Sequence, residues 1–156
     1  MEKVRYPIDW RVLLIAGSLA LIYVVAVIST PDYPQALEFN IIFGGVFLFT
    51  VLNYAIGTYG LLNRKTGVLS RTDYLFYTKR LNVKDIKTIY YRPTWIVGGL
   101  TRSLYIVDDK EKTVEFPNVG WYEPVLAKIV RDLQSLNPSI RLDEHAEALR
   151  EKYPQS

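Results

Sequence analysis

The sequence contains no cysteine and only one histidine in 156 residues, and these two shortages close off much of catalytic chemistry. Without cysteine there is no disulfide framework, thiolate metal site or cysteine nucleophile. His145 stands in a charged C-terminal stretch, away from any motif, which argues against histidine-centred acid–base catalysis and multi-histidine metal sites. Asp108, Asp109 and Glu111 alternate with Lys110 and Lys112 and lack the ligand spacing of a calcium loop, so they read as a solvated hairpin connection. No metal or cofactor is expected, and no pair of carboxylates or lysines stands at a spacing that demands catalysis. An enzyme is therefore the least favoured class.

Charge is missing from two long stretches. No charged residue occurs from Val12 to Thr30 or from Phe39 to Asn63, and each run is long enough to cross a hydrocarbon core of about 30 Å as a helix. The pattern predicts an N-terminal segment at 1–11, two transmembrane helices at about 12–30 and 39–63 joined by a short external loop, a folded domain at 64–138 and a charged tail at 139–156. Lys3, Arg5 and Arg11 precede the first run, Arg64, Lys65 and Arg71 follow the second, and the loop between carries only Asp32 and Glu38. Positive-inside reasoning then puts both termini in the cytoplasm of a multi-pass inner- or plasma-membrane protein. Tyr6, Trp10 and Tyr59 suit an interfacial aromatic belt. A cleaved signal peptide over Val12–Ile28 is the competing reading, disfavoured by the length of the run and the poor cleavage pattern near Ala26 and Ser29. Within the expected spans, Ala16 with Ala20 makes a small-xxx-small pair, and Asn53 is a polar residue able to pack one helix on another.

Beyond Arg64, the chain has short β-branched and aromatic runs broken by polar turns. Strands are expected at about Gly67–Ser70, Tyr74–Thr78, Arg80–Val83, Ile86–Arg92, Ser103–Asp108 and Thr113–Pro117. An amphipathic helix follows, with Tyr122, Val125, Leu126, Ile129, Val130, Leu133 and Leu136 on one stripe, Pro124 in its first turn and Asn137-Pro138 at its end. The fold class expected is α+β: a transmembrane hairpin, then a small antiparallel sheet or barrel capped by this helix. The tail from Arg141, with Ala146, Leu149 and Tyr153 among charges, is expected as a short exposed helix or docking segment, disordered after Lys152.

The segments Gly67-Val68-Leu69, Tyr74-Leu75-Phe76-Tyr77 and Leu81-Asn82-Val83-Lys84-Asp85-Ile86-Lys87-Thr88-Ile89 resemble the bacterial pleckstrin-homology-like domain family. Trp95-Ile96-Val97-Gly98-Gly99-Leu100, Leu104-Tyr105-Ile106-Val107 and the helix from Tyr122 fall where that family has its counterparts. The resemblance covers about Gly67 to Leu136. It implies a barrel closed by a C-terminal helix, two hydrophobic spans ahead of the domain as in many membrane members, and a binding role in preference to an activity.

The charges fall unevenly within the C-terminal part. Arg64 to Arg102 holds nine basic residues against two acidic ones, whereas Ser103 to the end holds seven basic against ten acidic. Lys79, Arg80, Lys84, Lys87, Arg92 and Arg102 are the candidates for contact with anionic lipid headgroups, with ordinary solvated strand charge as the alternative. Trp95, Ile96 and Val97 form an apolar, glycine-broken segment between arginines. It is expected either to pack on the core, to dip into a lipid interface, or to meet a protein partner. The function expected is a non-catalytic module that binds or orients at a membrane surface and recruits a protein partner or a second copy. The alternative is an accessory or scaffold subunit of a larger integral membrane complex. Nucleic acid is not an expected ligand, because no recognised motif accompanies the basic strands.

Overall fold

The computed structural model describes residues 2–29, 42, 44–47, 49, 58–73, 77–96, 99–118 and 120–154. Its elements run β1 (Lys3–Pro7), α1 (Trp10–Ile28), β2 (Tyr59–Asn63), β3 (Val68–Asp73), β4 (Tyr77–Asn82), β5 (Ile86–Ile96), β6 (Gly99–Asp108), β7 (Thr113–Pro117), α2 (Glu123–Leu136), β8 (Arg141–Leu142) and α3 (Glu144–Lys152). A single 3-10 turn at Val83–Asp85 joins β4 to β5.

Two sheets result. The first has the order β1-β2-β3-β4, antiparallel throughout; the second has the order β7-β6-β5-β8, with β8 parallel to β5. Alternation explains the pairing, since one face of each strand buries its side chains while the other stays wet. Leu62, Leu69 and Leu81 on the first sheet meet Ile89, Tyr91, Leu104, Ile106, Val114 and Phe116 on the second, all of them buried. Gly60 permits the closest approach, because a Cβ there would lie 2.9 Å from Phe116 Cε1 and 3.3 Å from Tyr6 Cβ. Gly67, at φ +65°, supplies the left-handed position that ends the β2–β3 turn.

The amphipathic helix α2 covers this core with Leu126, Ala127, Ile129, Val130 and Leu133. Its end is fixed by Asn137, whose side-chain amide donates to Val83 O at 2.8 Å. Trp121, just before the helix, is fully buried against Phe116 in an edge-to-face contact of 5.1 Å and donates its indole N–H to Tyr6 O at 3.1 Å. Arg71 closes the seam between the sheets: it pairs with Asp73 at 2.8 Å, donates to Glu115 O and lies 5.1 Å from the Trp121 ring.

Two sequence expectations are corrected here. Among the described residues no helix is long and apolar enough to cross a membrane, which overturns the transmembrane hairpin and, with it, the multi-pass membrane location and the cytoplasmic placement of both termini. Helix α1 ends at Ile28 and carries Arg11 in its first turn, and the last five residues of the expected second span are strand β2. The segment expected as an N-terminal extension is strand β1, paired in register with β2 from Lys3↔Asn63 to Pro7↔Tyr59. β1 is an edge strand whose inward backbone groups pair with β2, while β2 pairs on its other side with β3. The packing role given to Ala16, Ala20 and Asn53 between two spans lapses with the hairpin. Ala16 is helical and Ala20 is buried, whereas Asn53 lies outside the described residues.

The C-terminal tail is also more built than its charges suggest. β8 joins the second sheet, and α3 buries Ala146 and Leu149 against the core. Asp143 caps α3 by accepting from Ala146 N at 2.8 Å and also accepts from Tyr91 N at 3.1 Å, an amide on the outer edge of β5.

Candidate functional site

The sequence-selected residues separate into three places. Lys79 and Arg80 lie on β4, the edge strand of the first sheet. Lys84 and Lys87 flank the start of β5 and line a cleft of about 540 Å³ with Arg141, Asp85 and Asp109. Arg92, Trp95 and Ile96 are on the far half of β5 and Arg102 is on β6, while Val97 lies outside the described residues. Eight residues of extended strand separate Lys87 from Trp95, about 26 Å, so a small ligand cannot touch both groups.

The far half of β5 and the start of β6 form a projection. β7 pairs with β6 only from Ser103 to Val107, and β8 pairs with β5 only at Thr88 and Ile89. Beyond those partners the hairpin is two-stranded, with Pro93↔Arg102, Thr94↔Thr101, Trp95↔Leu100 and Ile96↔Gly99 as its pairs. Pro93 is compatible with the strand because Arg102 O accepts from Asn118 N at 2.9 Å, on the side away from β5. The 93–102 pair is therefore of the non-hydrogen-bonded kind, and the proline nitrogen faces an open edge where no donor is missed.

Side-chain direction makes the projection unusual. Ile89, Tyr91, Pro93 and Trp95 share one face of β5, and Leu100, Arg102, Leu104 and Ile106 share the same face of β6. Between the two sheets this face is the core, with Ile89, Tyr91, Leu104 and Ile106 at 2% exposure or less. At the tip it meets no core, leaving Trp95 79% and Leu100 63% exposed. A core-packed Trp95 is thus not what forms. The arginines bracket the pair: Arg102 lies 5.7 Å from the Tyr91 ring on that face, and Arg92, on the opposite face, lies 4.2 Å from the Tyr90 ring and 3.6 Å from Asp143. Both keep their charge at the surface.

Behind the hairpin, a polar cluster fixes α2, α3 and β5 together. Glu123 accepts from Lys152 Nζ at 2.7 Å, Tyr153 OH at 2.9 Å and Tyr91 OH at 3.3 Å. The Lys152 hydrogen bond, helped by the two phenols and opposed by burial, holds the Glu123 carboxyl below its ordinary range. Burial, with the Glu123 charge and hydrogen bond behind it, pushes the Tyr91 phenol up to about 12. These groups hold structure and are not poised for proton transfer near neutrality. Among the described residues no group of three or more histidine, aspartate or glutamate side chains is placed to hold a metal ion.

The length of the projection was not legible in the sequence, where Pro93 reads as the end of a strand. Its signal lay in the period-two run Tyr91, Pro93, Trp95 continued by Leu100, Arg102, Leu104. Compared with protein-family models and with curated proteins, the chain gives no match.

Proposed function

We propose that the protein is a non-catalytic binding module of pleckstrin-homology-like type that engages an anionic lipid surface through the tip of the β5–β6 hairpin. Strands β1 to β7 in two antiparallel layers followed by the covering helix α2 support the fold reading. The observation that carries the functional reading is the exposed Trp95–Leu100 pair, set between Arg92 and Arg102 on a face that is core elsewhere. A convex tip cannot enclose a small molecule. It can enter a fluid interface, where an indole ring is at home and the flanking guanidiniums meet phosphates.

The test is sedimentation of the full chain with vesicles of neutral phosphatidylcholine, with and without phosphatidylglycerol. Each arginine near an anionic surface contributes about 1 kcal/mol, so Arg92→Gln with Arg102→Gln is expected to weaken binding to the anionic vesicles roughly tenfold to thirtyfold. Trp95→Ala with Leu100→Ala is expected to weaken it on both vesicle types. Wild-type binding by both double variants, or equal wild-type affinity for neutral and anionic vesicles, sinks the proposal.

A second reading, an accessory or scaffold subunit, is favoured by α1, which exposes Leu14, Ile15, Leu19, Leu21 and Ile22. An apolar flank of that extent is characteristic of a protein contact. Recovery of a stoichiometric partner after gentle purification, lost when Leu14 and Ile15 are replaced by serine, distinguishes this reading from the first.

A further inference from the structure

We infer that the outer face of α2 is a docking groove for an extended acidic peptide of a partner protein. The groove has a volume of about 860 Å³ and runs along the solvent side of α2, bordering the core at Val125 and Asp132. Its floor is the helix stripe Val125, Lys128, Asp132 and Ser135, and its walls are Arg64 from the β2–β3 turn and Tyr153 with Pro154 after α3. From Tyr122 to Ser135 the helix advances about 20 Å, the length of roughly six residues of extended chain. The shape suits a linear ligand better than a compact one.

Charge selects its chemistry. Arg64, Lys128, Arg131 and Lys152 line the groove against one carboxylate, Asp132. Both oxygens of Asp132 are already engaged, Oδ2 by Tyr6 OH at 2.6 Å and Oδ1 by Arg64 Nη2 at 2.7 Å. Lys128 is exposed and makes no ion pair among the described residues, and Arg131 is held by the Tyr153 carbonyl, which neutralises nothing. Two uncompensated cations therefore face the groove, beside Tyr122, which is 44% exposed, and half-buried Val125. Alternating carboxylates and apolar side chains on one peptide match both features. A nucleic-acid backbone matches only the cations, since its phosphates offer no apolar side chain to Tyr122 and Val125.

The experiment uses the full chain and two pools of fluorescein-labelled hexapeptides, one with aspartate or glutamate at alternate positions and leucine, phenylalanine or tyrosine between, the other with lysine in place of the acids. Anisotropy is expected to rise with the acidic pool only and to weaken with added salt. Lys128→Glu, at an exposed position where folding is undisturbed, is expected to lower the affinity at least about tenfold, whereas Trp95→Ala with Arg102→Gln leaves it unchanged. That pairing separates this groove from the hairpin tip. No binding of the acidic pool, undiminished binding by Lys128→Glu, or equal binding of the lysine pool or of a labelled single-stranded DNA hexamer overturns the inference.

Discussion

Single side chains hold the C-terminal elements in place, and Glu123 is the clearest of them. Its carboxylate takes three donors from two other elements, so neutralising it releases the ends of both helices at once. Because its folded-state titration lies below the ordinary 4.5, its contribution is present above that value and fades as pH falls through the depressed one. Glu123→Gln is therefore expected to cost about 1 kcal/mol at pH 7, after discounting for solvent screening, and progressively less in acid. Urea midpoints of wild type and variant measured from pH 7 down to pH 3 check this: curves that stay parallel contradict it. Asp143 acts in the same way on a different seam. It caps α3 and satisfies the edge amide of Tyr91, so one carboxylate both starts a helix and closes a sheet.

At the level of elements, the sequence was most legible where one face is buried and least where tertiary partners decide. The stripe from Val125 to Leu133 reads as a helix because its apolar residues recur at three and four, and α2 runs from Glu123 to Leu136 with its stop at Asn137. β7 matches its expected bounds at Thr113–Pro117, since Val114 and Phe116 alternate with polar neighbours. Tyr74, in the second expected strand, lies outside the described residues. β1 was missed because Lys3-Val4-Arg5-Tyr6-Pro7 has little apolar content and its partner β2 lies more than fifty residues away, inside a run that local hydropathy assigns to a different element. The candidate site was legible in composition only: the arginines and Trp95 were selected, yet nothing local showed that the basic residues occupy three separate places. The β1–β2 pairing has a sharp consequence. A fragment from Arg64 to Ser156 lacks both strands and with them buried Tyr6, Ile8 and Leu62, so β3 keeps only β4 beside it and Trp121 loses its acceptor. Burying three such side chains contributes several kcal/mol, about the whole stability of a small domain. The fragment is expected to show no cooperative thermal transition, and a sharp calorimetric peak from it contradicts this assignment of the sheet.

At the scale of the whole molecule, a long segment is inserted in the first hairpin of a two-sheet fold. Pro7 and Tyr59 face each other in register, so the chain leaves and re-enters the first sheet at the same point, and the residues between are an insertion in β1–β2 and not a preceding module. Among the described residues its root is tied to the two sheets: Asp9 N donates to Gly120 O at 2.9 Å, and Val12 packs against the core. Loop closure grows only as the logarithm of length, so cutting about fifty residues to a tight turn relieves roughly 3 kcal/mol of closure entropy. That gain is of the same size as the loss of one hydrogen bond and one half-buried valine. Replacing residues 9–57 by Asn-Gly, which suits a two-residue hairpin between Ile8 and Thr58, is therefore expected to give a shorter chain that folds cooperatively within about 2 kcal/mol of the parent. If the hairpin tip is the lipid contact, the shortened protein retains its preference for anionic vesicles and its dependence on Arg92 and Arg102. A shortened chain that lacks near-ultraviolet circular dichroism and a cooperative melt would show that the inserted segment carries part of the core, and the core would then have to be redrawn around α1.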